Sequence, residues 1–227
     1  MTIQIFIDIE TLPTNNQVVR DRVSANVAPP GNYKKPESIA EWMATEGEKQ
    51  KAEAINRTAL DGTWGELLMI GLAVNDSEVY VLTRSGNEGQ MLYQFGQLVD
   101  GLCGSESKTG SWQHSATWVG HNAQDFDLRF LWQRCKINGV KLPFKLPVGK
   151  PNYSQGPFVF DTMKEWAGYG NRIKQTDLEL AFGIARDDQI TGADVARMYA
   201  EGKLDVIENH CRQDVENLRA IYRRMAA

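Results

Sequence analysis

Ile3-Gln-Ile-Phe-Ile-Asp8-Ile-Glu10-Thr-Leu-Pro13 is the stretch on which the fold turns. From Ile3 to Ile9 the pattern alternates and is rich in β-branched residues, as a strand requires. Side chains two apart on a strand leave the same face, so Asp8 and Glu10 point the same way. Two carboxylates at the end of an apolar strand have two explanations. They are solvated before the turn at Pro13, or they are gathered around a cation, because burying like charges unaided is costly.

Beyond this strand, residues 13–35 hold Pro13, Pro29, Pro30, Gly31 and several Asn, which predicts irregular backbone. Lys35-Pro36-Glu37-Ser38 opens a helical stretch to about Asn56. Glu66–Val74 and Glu78–Leu82, separated by Asn75-Asp76-Ser77, read as a hairpin. Apolar residues at 91, 92, 95, 98, 99 and 102 mark a helix from Asn87 to about Leu102. Gly104–Ser115 reads as a polar loop, Ala116–Val119 as a short strand and Asp125–Ile137 as a helix. Gly139–Pro157, with four prolines, reads as a mostly irregular connection. Phe158-Val-Phe is a short strand, and Asp161 can cap the element after it. Thr176-x-x-Glu179 has the form of a capping box. The last helix runs from Leu204 to Met225, with apolar residues at 207, 211, 218, 221, 222 and 225.

A hairpin followed by strands alternating with helices predicts an α/β fold with a mixed sheet. No linker separates two complete patterns, so residues 1–227 read as one domain with insertions at about 14–58 and 139–157. The chain is 227 residues long, 42% hydrophobic and 24% charged, which suits a globular protein that needs no disulfide or metal staple. A net charge of −4 excludes a bulk polycation but not a local basic groove. No apolar run is long enough for a membrane span, and the start reads as a strand rather than a signal peptide. Cys103, Cys135 and Cys211 are odd in number and never spaced as C-x-x-C. That argues against a disulfide framework or a zinc knuckle and fits a reduced, cytoplasmic setting.

Two further places carry chemistry. Asp127 lies in Gly120-His-Asn-Ala-Gln-Asp-Phe-Asp127-Leu-Arg-Phe-Leu, where a strand passes into a helix. α/β sheets place ligands at such junctions. Asp127 also suits a first-turn acid complementing the helix dipole, with Asp125 the better candidate for the cap. His210 and Asp214, four apart on the last helix, share a face beside the apolar stripe; an exposed ion pair would have the same spacing.

Taken together, the three places are more specific than any one of them. The sequence resembles the DEDD superfamily of 3′→5′ exonucleases, which have an RNase H-like fold. The first motif resembles Phe6-Ile-Asp8-Ile-Glu10-Thr-Leu-Pro, the second the Asp127 stretch, and the third Asn209-His210-Cys-Arg-Gln-Asp214-Val-Glu-Asn-Leu. Ala59-Leu60-Asp61-Gly, Phe160-Asp161-Thr-Met and Tyr199-Ala-Glu-Gly are similar to the stand-alone branch related to the exonuclease domain of family B DNA polymerases. The third motif departs from the superfamily. Its members carry His-x4-Asp or Tyr-x3-Asp, whereas this chain has His-x3-Asp, a histidine in the tyrosine's register. In the other register stands Asn209.

The resemblance implies an RNase H-like mixed sheet flanked by helices and hydrolysis of terminal phosphodiester bonds to 5′-mononucleotides. It implies that Asp8, Glu10, Asp127 and Asp214 hold two Mg²⁺ ions, with Mn²⁺ able to substitute and Asp8 bridging. Hard cations favour carboxylate oxygen, and a pair about 4 Å apart can clamp both the attacking and the leaving oxygen. By the same resemblance His210 orients or deprotonates the attacking water, while Thr11, Leu12 and Asn122 contact substrate. DNA, with single-stranded 3′ ends, is favoured over RNA. An RNA-trimming exonuclease and a non-catalytic nucleic-acid-binding module are the rival readings.

Other residues fit simpler roles. His121 reads as a hydrogen-bonding loop residue, His114 as part of a polar loop and the six Trp as mostly core. Lys141, Lys145, Lys150, Arg172 and Lys174, interleaved with Phe144, Tyr153 and Tyr169, suit either a strand-binding groove or solvated loop lysines. Residues 14–58 are longer than a β-meander needs, and part of them is expected to flank the mouth of the site.

Overall fold

In the computed structural model, residues 2–106, 112–149, 158–168 and 170–227 are described. Strand β1 (Ile3–Leu12) is central in a five-stranded mixed sheet ordered β3-β2-β1-β4-β5. β2 (Glu66–Val74) pairs antiparallel with β1, and β3 (Tyr80–Thr83) antiparallel with β2. β4 (Ala116–Gly120) pairs parallel with β1, and β5 (Phe158–Asp161) parallel with β4.

The alternation of β1 sorts its residues between two cores. Ile3, Ile5, Ile7 and Ile9 pack with residues of α4 (Glu88–Glu106) and α5 (Asp127–Ile137) on one face. Phe6 and Leu12 pack on the other face, against α9 (Leu204–Met225) and its neighbours. Asp8 and Glu10 share the parity of Phe6 and so face α9. The predicted bounds of α9 and β2 coincide with the observed ones, because both carry uninterrupted patterns.

The insertion after β1 is more ordered than its composition suggests. α1 (Gln17–Ala25) lies inside the stretch expected to be irregular. Pro13, Pro29 and Pro30 fall outside it, and Asn16 acts as its N-cap, accepting from Val18 N–H at 2.9 Å. The helical stretch up to Asn56 is two helices, α2 (Pro36–Thr45) and α3 (Gly47–Asn56). A 3-10 turn, Arg57–Leu60, comes next. It returns the chain to β1, where Thr11 Oγ1 donates to Ala59 O at 2.7 Å. The remaining short helices, α6 (Thr162–Ala167), α7 (Gln175–Phe182) and α8 (Val195–Ala200), lead from β5 to α9.

Several local expectations are corrected. α5 starts at Asp127, not Asp125, and neither Asn122 nor Asp125 caps it with a side chain. α4 runs on to Glu106, and Trp112–His114 form a 3-10 turn within the expected loop. Only Trp112 and Trp118 among the six Trp are buried. Thr176 and Glu179 do not close a capping box, since Lys174 is the N-cap of α7 and Glu179 turns inward to an arginine.

Candidate active site

The sheet and α9 bring the acidic residues together. Asp8 and Glu10 come from the C-terminal half of β1, where a register irregularity between Glu10 and Thr11 bends the strand. Asp127 opens α5 with its carboxylate buried. The strand pairing of β1 with β4 ends at Phe6 and Val119, and beyond it Asp127 Oδ1 accepts from Ile9 N–H at 3.1 Å. The turn that delivers Asp127 needs glycine at 120, where a Cβ would lie 2.2 Å from that of Ala123. Asp161 clamps this turn, accepting from Asn122 N–H at 2.9 Å and Gln124 N–H at 3.2 Å while also capping α6 as expected.

α9 reaches the same place only because β2 carries glycine opposite Asp8. A Cβ at Gly71 would lie 2.8 Å from Cys211 Sγ and 2.9 Å from Val215 Cγ2. The helix therefore lies directly on the sheet and sets His210 and Asp214 over β1. His210 Nε2 is 3.3 Å from Asp214 Oδ2 and 3.9 Å from Glu10 Oε1. Ligand atoms of Glu10, His210 and Asp214 lie within 4.8 Å of one another, as do those of Asp8, Glu10 and Cys211. Asp127 enters neither set and adjoins them through Ile9.

Crowding leaves a clear electrostatic signature. Burial, then the charges of Asp214, Asp127 and Glu10, hold the Asp8 carboxyl well above its usual range. Glu10 is raised well above its range by burial and then by Asp214, Asp127 and Asp188. Burial pushes Asp127 up to about 7. Asp214 is raised by burial, with His210 and Arg186 pulling the other way. Such carboxyls ask for a positive charge, and the oxygen-rich donor set fits a hard divalent cation. Cys211 does not alter that preference, because burial and the neighbouring carboxylates hold it as a neutral thiol.

A group that the sequence did not single out supplies part of that charge. Arg186, on the segment after α7, is mostly buried and forks between three acids. It donates to Glu179 Oε2 and Oε1, each at 2.7 Å, to Asp188 at 3.3 Å and to Asp214 Oδ1. Asp188 in turn lies 2.9 Å from His210 Nδ1. Gln213 Oε1 accepts from the backbone N–H of Asp187 and Asp188 at 3.1 and 3.2 Å, and Asn217 Nδ2 donates to Ala185 O, stitching this segment to α9.

These raised carboxyls set a pH dependence. The folded chain holds their protons more tightly than the unfolded one. Each therefore contributes stability that is fully present below the ordinary carboxylate pKa of about 4 and lost as pH rises through its raised value, about 7 for Asp127. In chelator, the melting temperature is expected to fall as pH rises from about 5 to 8, and saturating Mg²⁺ is expected to flatten that slope by binding the native state. A melting temperature that rises over this range in chelator would contradict the electrostatics described.

The expected substrate contacts separate. Thr11 commits its hydroxyl to Ala59 O, and Leu12 is buried beside Leu68, Val195 and Ile207. Asn122, with φ of 62°, stands in an open groove of about 560 Å³ lined also by Leu60, Phe126, Met163, Lys164 and Arg172. Phe144 is not on a strand-binding surface: it is buried against Trp112, Trp118 and Phe95. Lys141, Lys145, Arg172 and Lys174 are exposed, while Lys150, Tyr153 and Tyr169 lie outside the described residues. His121 bonds to Thr162 Oγ1 at 2.9 Å and Ile173 O at 2.8 Å, as a hydrogen-bonding loop residue should.

A family model described as a predicted 3′-5′ exonuclease related to the exonuclease domain of PolB matches residues 108–227, just over half the chain. The chain belongs to this family. The exonuclease-related domain also resembles a solved structure, the family B DNA polymerase from the hyperthermophilic archaeon Pyrobaculum calidifontis, with a TM-score of 0.59 at 13% identity. That likeness covers 100% of this chain and 25% of the polymerase, and it shows the shared fold. A search of curated proteins finds no match. Among the described residues, no helix is long and apolar enough to cross a membrane.

Proposed function

We propose that this domain is a divalent-metal-dependent 3′→5′ exonuclease that releases 5′-mononucleotides from DNA, preferring single-stranded 3′ ends. The observation that carries the reading is the meeting of Asp8, Glu10 and Asp214 with His210, beside Asp127, at one place over the sheet. Asp8, Glu10, Asp127 and Asp214 would hold the cations. Two Mg²⁺ ions, when bound, supply positive charge to the attacking and leaving oxygens of the phosphodiester. His210 Nε2, facing Glu10 and Asp214, takes the proton from the attacking water.

The groove beside Asn122 supports a path for the strand. Lys164 and Arg172 offer cations to phosphates, and Phe126 and Leu60 offer apolar surface to bases. Lys164 is partly engaged by Asp125 at 2.9 Å, which leaves Arg172 as the freer cation of the two. Leu60, at the end of the 3-10 turn that follows the insertion at 14–58, lines the groove, and through this turn the insertion would act in selecting the ends that enter. The preference for DNA rests on the family's relation to PolB.

The test uses end-labelled single-stranded DNA, duplex DNA and RNA with Mg²⁺, Mn²⁺ or EDTA. Stepwise shortening of DNA from the 3′ end, lost in EDTA, is the expected result. Shortening of RNA alone would move the substrate class, and binding of labelled strands without turnover in either metal would leave a non-catalytic module.

A further inference from the structure

We infer that Asp188 is a positioning residue for His210, accepting a hydrogen bond from Nδ1–H and so turning Nε2 toward the carboxylate cluster. The role assigned to Nε2 rests on the proposed exonuclease reading; the hydrogen bond itself does not.

The geometry is specific. Asp188 Oδ2 lies 2.9 Å from His210 Nδ1, while Nε2 faces the opposite way, toward Asp214 and Glu10. A second neighbour, Arg186 Nη1, is 3.4 Å from the same Nδ1. The two contacts demand opposite tautomers, since an arginine N–H needs an acceptor and a carboxylate needs a donor. The carboxylate contact is shorter. A bare Nδ1 would also aim its lone pair at the Asp188 anion, and Arg186 already has carboxylates on all sides. Nδ1 therefore carries the proton and donates it to Asp188.

Asp188 is itself held in place. Its backbone N–H bonds to Gln213 Oε1, one residue before Asp214, and both of its oxygens lie 3.3 Å from Arg186 Nη1. The same arginine reaches Asp214. One short segment thus registers the ring and the neighbouring carboxylate against each other. A carboxylate that orients an imidazole without reacting is a familiar division of labour between two residues. Here it compensates for the unusual spacing of the third motif. A histidine in the tyrosine's register has a ring of different shape and reach, and Asp188 determines which of its nitrogens faces the site.

The test combines spectra with kinetics. Long-range ¹⁵N–¹H spectra, with His210 assigned by His210→Gln, are expected to show a strongly deshielded proton on Nδ1. Asp188→Leu should lose that proton signal and lower kcat about 10- to 100-fold, with KM little changed. Asp188→Asn, whose amide oxygen can still accept, should restore most of both. In a His210→Gln background, Asp188→Leu should have no further effect on kcat. A wild-type ring with no proton on Nδ1, or an equal loss of kcat in both backgrounds, would overturn the assignment. If Asp188→Leu does not fold, the wild-type Nδ1 proton and Asp188→Asn decide the matter. A wild-type protein that shows the Nδ1 proton but cleaves no nucleic acid would retire the exonuclease reading and leave the His–Asp pairing standing.

Discussion

Asp8→Asn is expected to lower metal-dependent cleavage by roughly 10²- to 10³-fold, the scale for removing one preorganised charge contact to a transition state. Asparagine keeps the volume and one oxygen but removes the charge. Asp8 lies opposite Gly71 in the strand register, beneath α9, so the loss falls at the centre of the cluster. The same substitution is expected to raise the melting temperature in chelator. Its carboxyl is held well above its usual range by burial and by Asp214, Asp127 and Glu10, and removing it relieves that conflict. Cleavage rates in Mg²⁺ and melting curves in EDTA measure the two effects separately. Lower activity together with lower stability would point to a structural role instead.

Arg186→Met should move stability in the opposite direction. Methionine approximates the apolar part of the side chain and deletes the cation. Glu179, with its side chain 3% exposed, would then be a buried charge without its chief partner. Removing one member of a buried ion pair costs about 3–5 kcal/mol, because the other charge stays desolvated. Glu179 is now held below its usual range, burial being outweighed by its bonds to Arg186 and Gln175. Denaturant titration in chelator is expected to show a loss of this size. Mg²⁺ should recover only part of it, since cations on Asp214 do nothing for Glu179. Glu179→Gln in the Arg186→Met background should recover most of the remainder. A loss under about 1 kcal/mol would mean that water screens the network as it does a surface pair.

The contrast between these residues shows what the sequence could disclose. Asp8, Glu10, His210 and Asp214 sit on two elements with unbroken periodicity, β1 and α9, so spacing alone gave their faces. The mixed character of the sheet followed from the hairpin and the alternation after it. Arg186, Asp188 and Glu179 were not legible in the same way. Two lie in the irregular segment after Gly183, whose path is fixed by contacts to α9 through Gln213 and Asn217. The available signal was the run Arg186-Asp-Asp just past a glycine with φ of 66°, but a charge run there reads equally as solvent-exposed. Glu179 was misread because a capping-box pattern is local, and a buried arginine made a stronger claim on its carboxylate. Asn16 was misread the other way: counted as a breaker, it starts a helix.

Strand β2 contributes no side chain to the cluster, yet it meters the cluster's width. At Gly71 the bare Cα acts as a gauge block between sheet and helix, because even a methyl group would press on Cys211 and Val215. The distance from Asp8 and Glu10 on the strand to Asp214 on the helix is therefore set by an absence of atoms at a third place. Magnesium tolerates only a narrow range of oxygen distances, whereas calcium accepts longer and more variable ones. On the proposed reading, ion selectivity here depends partly on a residue that touches neither ion nor substrate. An enlarged side chain at 71 would loosen the cage toward the larger cation without altering a single ligand.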